Sequence, residues 1–130
     1  MKKVLLALSL LLGLTAVSVP AEAHSGFKRV AYFIQWGVYG RNFHVKDVDA
    51  SGAAAKLTHL NYAFGFVNAE GSCYSADPWA DWQRPVPAEQ SVDGVADQPG
   101  QALNGNLNQL RKLQAKHPSL KVLISLGGWT

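Results

Sequence analysis

Three short runs of nearly continuous apolar residues lie along the chain, and each is typical of a buried β-strand. They cover residues 29–35, 57–67 and 121–126. In the second run, 57–67, the apolar and aromatic residues follow one another almost without interruption, so we expect a strand covered on both faces, as in a parallel sheet. Glycines follow the first and third runs, at Gly37 and Gly127.

Between these runs the spacing of apolar residues changes to that of helices. Residues 47–56 predict a short helix, in which Asp47 and Asp49 cap the start. Further along, four leucines recur at helical spacing: Leu103, Leu107, Leu110 and Leu113. His117-Pro118 ends this second helix. Strands that alternate with helices indicate an α/β fold with a parallel sheet and right-handed crossovers.

Residues 68–100 form a long irregular segment with four of the six prolines. A connection of this length inside a compact domain is usually functional or disordered. Trp79 and Trp82 argue against simple disorder, because a disordered segment is poor in aromatic residues.

The first 23 residues have the features of a secretory signal peptide. Lys2 and Lys3 precede the apolar run 4–17, and Ala21-Glu22-Ala23 is an A-x-A cleavage pattern. The run is shorter than the roughly 20 residues that cross a bilayer, so an uncleaved anchor is the weaker alternative. We expect cleavage before His24, a secreted, extracellular protein, and no membrane association afterwards.

Composition excludes several classes of function. The net charge is only +3, with 12 Lys and Arg against 9 Asp and Glu, and no long basic run indicates nucleic-acid binding. The four histidines lack the spacing of metal ligands, so we expect no metal. Nucleotide-binding glycine motifs and the G-x-S-x-G nucleophile motif are absent.

Cys73 is the only cysteine of the sequence. A single cysteine excludes an intrachain disulfide framework and a cysteine-based zinc site. In an exported chain it is either a buried free thiol or the partner of a cysteine located after residue 130.

The carboxyl ends of the three predicted strands each place an aromatic residue beside a glycine. The three sequences are Gln35-Trp36-Gly37, Phe64-Gly65-Phe66 and Gly127-Gly128-Trp129. Parallel α/β proteins bind ligands at these strand ends, and glycine lets a ligand approach the backbone closely. Because an aromatic face stacks on a sugar ring or a nucleobase, the pattern predicts a stacking cleft. Packing of these aromatic residues in the core is the alternative.

Three segments together carry a resemblance to a known family. Residues 31–43, 58–64 and 120–130 resemble the first, second and third barrel strands of the family 18 glycoside hydrolases, in particular bacterial secreted chitinases. The third segment contains the S-x-G-G signature as Ser125-Leu126-Gly127-Gly128. The resemblance covers about residues 28–130.

This resemblance implies a fold and a reaction. The fold would be the N-terminal portion, about three βα units, of a (β/α)8 TIM barrel. The reaction would be hydrolysis of the β-1,4-N-acetylglucosamine linkages of chitin or chitooligosaccharides by substrate-assisted retaining catalysis. In that mechanism a Glu protonates the glycosidic oxygen, the acetamido oxygen of the substrate attacks the anomeric carbon, and an Asp orients the acetamido group. No metal or cofactor takes part, and the full-length protein would be a monomer.

The resemblance also assigns roles to individual residues. Tyr32 and Ser125 match positions whose hydroxyls support the catalytic aspartates. The substrate-binding positions are two aromatic walls of the cleft, an aromatic beneath it, the glycine pair, and a polar residue at the rim: Trp36 and Trp129, Phe64, Gly127 and Gly128, and Arg41.

One departure from the family pattern is an absence. The catalytic D-x-x-D-x-D-x-E motif does not occur in the 130 residues. A barrel needs about 250 residues, so we expect residues 24–130 to be a partial catalytic domain, starting near 28 and truncated at 130, that cannot close and is inactive alone. The alternatives are a chitin-binding lectin of the same fold, a related endo-β-N-acetylglucosaminidase, and an unrelated α/β binding domain.

Overall fold

A parallel three-stranded sheet forms the centre of the molecule. The computed structural model describes residues 26–128. The predicted signal segment and cleavage site, together with Trp129 and Thr130, lie outside the described residues. The strands are β1 (Val30–Ile34), β2 (His59–Val67) and β4 (Lys121–Leu126), and β3 (Cys73–Tyr74) pairs antiparallel with the end of β2.

β2 is the central strand of the sheet, with β1 on one side and β4 on the other. Both neighbours run parallel to β2. In the register, Asn61 lies between Tyr32 of β1 and Leu123 of β4. The pairing of β2 with β4 shifts between Ala63 and Gly65. The predicted α/β fold with three parallel strands is therefore confirmed, whereas closure of a barrel goes beyond the described residues.

The helices cover one face of this sheet. They are α1 (Val45–Ala50), α2 (Ala53–Lys56) and α3 (Gly105–Lys116). The core between helices and sheet is formed by the following buried side chains: Phe33, Val45, Val48, Ala54, Leu60, Tyr62, Val92, Leu110, Leu113 and Leu120. On the other face Val30, Tyr32 and Leu123 are exposed. This face is thus uncovered at β1 and β4 within residues 26–128, whereas in β2, for which coverage on both faces is expected, every residue from His59 to Phe66 is buried or half-buried.

The predicted helix over residues 47–56 is two helices. α1 ends at Ala50 and α2 begins at Ala53, because Gly52 adopts a left-handed conformation between them. Asp47 does cap α1, since its carboxylate accepts a hydrogen bond from the His44 N–H at 2.7 Å. Asp49, in contrast, lies in the last turn of α1. Its carboxylate contacts Lys116 and His117 at the end of α3, at 2.6 and 2.7 Å. Its predicted capping role is wrong.

The connecting segment (residues 68–104) is ordered by polar contacts with α3. It contains β3, a π-helical turn (Trp79–Gln83) and a 3-10 turn (Ala88–Gln90). One face of α3 is polar and buried, and it holds the segment through side-chain amides. Asn108 donates to Asp97 at 2.7 Å, and Gln109 accepts the Val92 N–H at 2.9 Å. A segment with so few regular elements is therefore fixed by buried hydrogen bonds.

The state of Cys73 and the length of the helices can also be compared with the sequence predictions. Cys73 is a free thiol and is exposed, so the alternative of a buried thiol is wrong. None of the helices among residues 26–128 is long and apolar enough to cross a membrane.

Candidate functional site

An aromatic pair marks the carboxyl end of the sheet. β1 continues directly into a 3-10 turn (Gln35–Val38) that carries Trp36, and Phe64 lies near the end of β2. The two ring centroids are 6.0 Å apart and the rings are inclined by 31°. Trp36 remains 37 % exposed. The aromatic pair (Trp36 and Phe64) therefore offers ring surface to a ligand at the strand ends.

The glycine pair after β4 passes directly over the ring of Phe64. A Cβ added at Gly128 would lie 2.6 Å from Cε1 of that ring, so a side chain at this position would collide with it. Gly127 donates its N–H to the carbonyl of Gly65 at 2.9 Å, which holds the end of β4 against β2. The lack of a side chain at 128 thus lets the chain pass close to the Phe64 ring.

Tyr32 and Ser125 lie on the sheet face that points away from the helices. Ser125 pairs with Ala63, which in turn pairs with Ile34, and Tyr32 lies two residues before Ile34 on the same face. Tyr32 is 61 % exposed. Two hydroxyls predicted to act together are therefore on one face of the sheet, one on each outer strand.

Arg41 and Trp129 are the other two residues predicted to contact substrate. Arg41 lies in the exposed turn after the 3-10 turn of Trp36. Trp129 lies outside the described residues. The structure thus brings Trp36, Phe64, Gly127 and Gly128 together, and leaves Arg41 on the surface beyond them. No group of three or more metal-ligating side chains occurs within residues 26–128.

A mainly apolar cavity of about 360 Å³ lies beside the aromatic pair. It is bounded by residues from β2, β3, β4, α3 and the connecting segment, which include Phe64, Tyr74, Trp82, Leu107 and Leu126. Asp81 and Ser75 also line this cavity, and Phe64 belongs both to it and to the aromatic pair.

The buried carboxylate of Asp81 is a feature of the site that the sequence pattern does not predict. It is 4 % exposed and accepts hydrogen bonds from Gln35 Nε2 at 2.6 Å, from Ser75 Oγ at 2.5 Å, and from the Tyr62 hydroxyl. Asn106 Nδ2 donates to the Tyr62 hydroxyl and to the Gln35 carbonyl, both at 3.1 Å. We call these five residues the Asp81 cluster. The only sequence signal is an acidic residue within an apolar stretch, Trp79-Ala80-Asp81-Trp82.

Burial and the neighbouring carboxylates keep the phenols near the site protonated. Burial, together with the hydrogen bond to Asp81, raises the pKa of Tyr62 far above its usual range. Burial and a 2.7 Å hydrogen bond to Asp77 raise the pKa of Tyr39 to about 12. Both phenols therefore keep their protons at neutral pH and donate to these carboxylates.

The match to a family of known proteins agrees with this geometry. The model of the glycosyl hydrolases family 18 matches residues 28–130, nearly all of the described chain. The chain belongs to glycosyl hydrolase family 18.

Individual relatives of this family 18 chain are chitinases. Chitinase C of Streptomyces lividans is 57 % identical over 102 residues, which cover 78 % of this chain and 16 % of the relative. Chitinase 63 of Streptomyces plicatus is 52 % identical over the same length, covering 78 % and 17 %. The chain therefore spans less than a fifth of the length of these relatives.

A solved structure shows the same fold in a family 18 relative. The catalytic domain of the psychrophilic chitinase B from Arthrobacter TAD20 superimposes with a TM-score of 0.76 at 46 % identity. The match covers 81 % of this chain and 28 % of that chain. The arrangement of β1, β2, β4 and the helices is thus that of one part of a chitinase catalytic domain.

Proposed function

We propose that the whole protein is a secreted chitinase and that this chain forms one wall of its substrate cleft. The observation that carries the proposal is the aromatic pair beneath Gly127-Gly128 at the carboxyl ends of three parallel strands. Parallel α/β enzymes bind substrate at that end of the sheet. The apolar face of an N-acetylglucosamine ring stacks on an exposed aromatic ring such as that of Trp36, 37 % of which is accessible.

The sheet would be the first part of a (β/α)8 barrel. β1, β2 and β4 run parallel, and the face that carries Tyr32 and Ser125 is free of helices. In a barrel that face points inward, towards the catalytic groups. We propose that the hydroxyls of Tyr32 and Ser125 hydrogen-bond catalytic carboxylates there, and that Arg41 and Trp129 contact the polymer at the rim and on the opposite wall.

The chemistry proposed is substrate-assisted hydrolysis with retention. A Glu donates a proton to the leaving oxygen, and the acetamido oxygen of the substrate attacks the anomeric carbon. This Glu belongs to a D-x-x-D-x-D-x-E motif, which residues 1–130 do not contain. We therefore propose that residues 24–130 alone bind sugar without cleaving it. No group on this chain serves as the general acid in the proposal.

Turnover of chitooligosaccharides tests the proposed activity. The whole protein, meaning this chain with whatever its reading frame encodes after Thr130, is expected to cleave chitohexaose and to leave cellohexaose intact, because the reaction needs the acetamido group. The first product formed should be the β-anomer. Binding of chitohexaose without any cleavage would favour the lectin alternative, and appreciable cleavage by residues 24–130 would contradict the proposed location of the acid.

Replacing Trp36 tests the proposed cleft wall. Trp36→Ala removes the exposed ring and is expected to raise the KM for chitohexaose about ten-fold, the usual effect of losing an aromatic anchor. Phe27→Ala is the control, since Phe27 is exposed at the opposite, amino end of β1. Equal KM values for the two variants would remove Trp36 from the cleft.

Secretion is proposed from the N-terminal sequence alone. The mature protein recovered from the culture medium is expected to begin at His24. Recovery of the protein with Met1 in the membrane fraction would instead support the uncleaved anchor.

A further inference from the structure

Asp81 is a buried carboxylate that none of the roles assigned so far uses. Its three partners are an amide and two hydroxyls, Gln35, Tyr62 and Ser75, and all of them are uncharged donors. Within residues 26–128 no ion pair involves Asp81. Burying a carboxylate costs free energy unless its oxygens accept hydrogen bonds. The three neutral donors satisfy these oxygens only in one arrangement, so they fix the position of the Asp81 side chain.

The backbone around Asp81 also packs closely, against the start of α3. α3 begins at Gly105 with a φ of +62°, and a Cβ there would lie 2.7 Å from the Asp81 carbonyl oxygen. The N–H groups of Asn104 and Gly105 donate to the carbonyls of Trp82 and Arg84, at 3.1 and 3.0 Å. The π-helical turn that carries Asp81 is therefore packed directly against the first turn of α3.

Two donors of the Asp81 cluster lie close in sequence to the aromatic pair. Gln35 immediately precedes Trp36 in the 3-10 turn, and Tyr62, in the middle of β2, lies two residues before Phe64. Asn106 joins this turn to β2, because its amide donates to the Gln35 carbonyl and to the Tyr62 hydroxyl. Displacement of Asp81 would therefore act on Gln35 and on the 3-10 turn from which Trp36 projects.

We infer that Asp81 is a positioning residue of the cleft, whose carboxylate holds Gln35, and through it Trp36, against the end of β2. The inference rests on the proposed role of Trp36 in binding the polymer. Asp81 is only 4 % exposed, so in this inference it acts through Gln35 and not by contact with the polymer. Its contribution is to fix the angle at which the Trp36 ring meets Phe64 before a sugar arrives, so that less order is lost on binding.

The variant Asp81→Asn tests this role at nearly constant volume. An amide has one acceptor oxygen instead of two, so its NH2 group must face either Gln35 and Tyr62 or the Ser75 hydroxyl. The charge-assisted bonds are lost in both orientations. In the whole protein, we expect the KM for chitohexaose to rise about three- to ten-fold, while kcat changes less than about two-fold because the reacting atoms are not touched.

A double-variant cycle separates this inference from the proposed function. If Asp81 acts through Trp36, the variant carrying both Asp81→Asn and Trp36→Ala has the KM of Trp36→Ala alone. If Trp36→Ala raises KM and Asp81→Asn adds an independent factor, the inference is wrong and the proposed cleft stands. If Trp36→Ala leaves KM unchanged, the proposed role of Trp36 in the cleft is wrong, and the inference about Asp81 is wrong with it.

Asp97→Asn is the matched control. Asp97 is also a buried carboxylate of the connecting segment, and it accepts hydrogen bonds from the Val86 N–H and from Asn108 at 3.1 and 2.7 Å. It has no contact with the strand ends, so its loss should lower the thermal midpoint and leave KM unchanged. A similar rise in KM for both variants would reduce Asp81 to a general structural role and overturn the inference.

A second variant covers the case in which Asp81→Asn does not fold. Gln35→Met removes the amide donor at similar length and leaves the bonds of Asp81 to Tyr62 and Ser75 in place. The same rise in KM, again absent on the Trp36→Ala background, is expected. An unchanged KM in folded Gln35→Met would overturn the inference.

Discussion

At the scale of single residues, Gly128 determines how closely the chain passes over Phe64. Gly127 and Gly128 both have positive φ values, +72° and +136°, but only at Gly128 would a Cβ meet another atom. The two positions therefore separate the effect of backbone conformation from the effect of a steric collision with the aromatic pair.

We predict that Gly128→Ala damages the cleft and that Gly127→Ala does not. The methyl at 128 would push the Phe64 ring from its place beside Trp36, so the KM for chitohexaose should rise several-fold. Gly127→Ala should cost about 1–2 kcal/mol of stability through its left-handed backbone alone and should leave KM unchanged. The prediction is checked by steady-state kinetics and thermal melting of both variants, and equal KM values would contradict it.

At the scale of elements, Asp49 joins α1 to the end of α3. Hydrogen bonds from His117 and Lys116 lower the pKa of this carboxyl below its usual value. A lowered pKa in the folded protein means that the contact stabilises the fold above the ordinary pKa of an aspartate, about 4, and that this stabilisation disappears as the pH falls through the lowered value.

Asp49→Asn should therefore be less stable than the parent at pH 7, and the difference should shrink as the pH falls below about 4. Because Lys116 is largely exposed, we expect a difference of no more than about 1 kcal/mol at neutral pH. Thermal midpoints measured from neutral to acidic pH test the prediction. Glu70→Gln, which alters an exposed carboxyl, serves as the control and should show no difference across this range. A difference that does not shrink in acid would mean that Asp49 stabilises by packing.

The polar face of α3 leads to a second prediction at this scale. Gln109 Oε1 accepts the Val92 N–H and the Ser91 hydroxyl, at 2.9 and 3.1 Å. Gln109→Leu would leave a buried N–H unpaired, at a cost of about 1–3 kcal/mol, and should make the chain near Val92 sensitive to proteases. Gln114→Leu, on the exposed side of α3, is the control. Equal proteolysis patterns would show that the connecting segment is held by other contacts.

The elements that could be predicted are those whose pattern is local. The apolar runs of β1, β2 and β4 and the leucine spacing of α3 are each visible within about a dozen residues. The order of the connecting segment is not, because it depends on pairs such as Gln35 and Asp81, 46 residues apart. The same reason explains why Trp36 and Phe64 were identified from their strand ends, whereas Asp81 and the contact of Asp49 with His117 were not.

At the scale of the whole molecule, the sheet has apolar residues on open surfaces. β1 and β4 each pair only with β2 among the described residues, and Val30, Ile124 and Leu126 are more than half exposed. Unpaired strand edges and apolar patches of this kind promote association. These surfaces are suited to further strands and helices of a barrel, as the proposed function requires.

Residues 24–130 expressed alone are therefore expected to self-associate. Light scattering after size-exclusion chromatography should show species larger than a monomer, and Leu123→Lys combined with Ile124→Lys should reduce their size. Val95→Lys, which changes an exposed apolar residue of the connecting segment, should have no such effect. A monomer with a cooperative thermal transition would contradict the prediction.

The Asp81 cluster also has a consequence for the order in which the protein folds. Gln35 and Asn106 are separated by 71 positions and meet through one hydrogen bond of 3.1 Å. Contacts between such distant residues form late, because the intervening chain loses its freedom before the contact can repay that loss. β1 and β2 can pair while α3 is still unformed. The turn that carries Trp36 cannot take its final position until α3 is present, because Asn106 of α3 donates to the Gln35 carbonyl in that turn. The turn that carries Trp36 is then expected to reach its final shape only after β1 and β2 have paired.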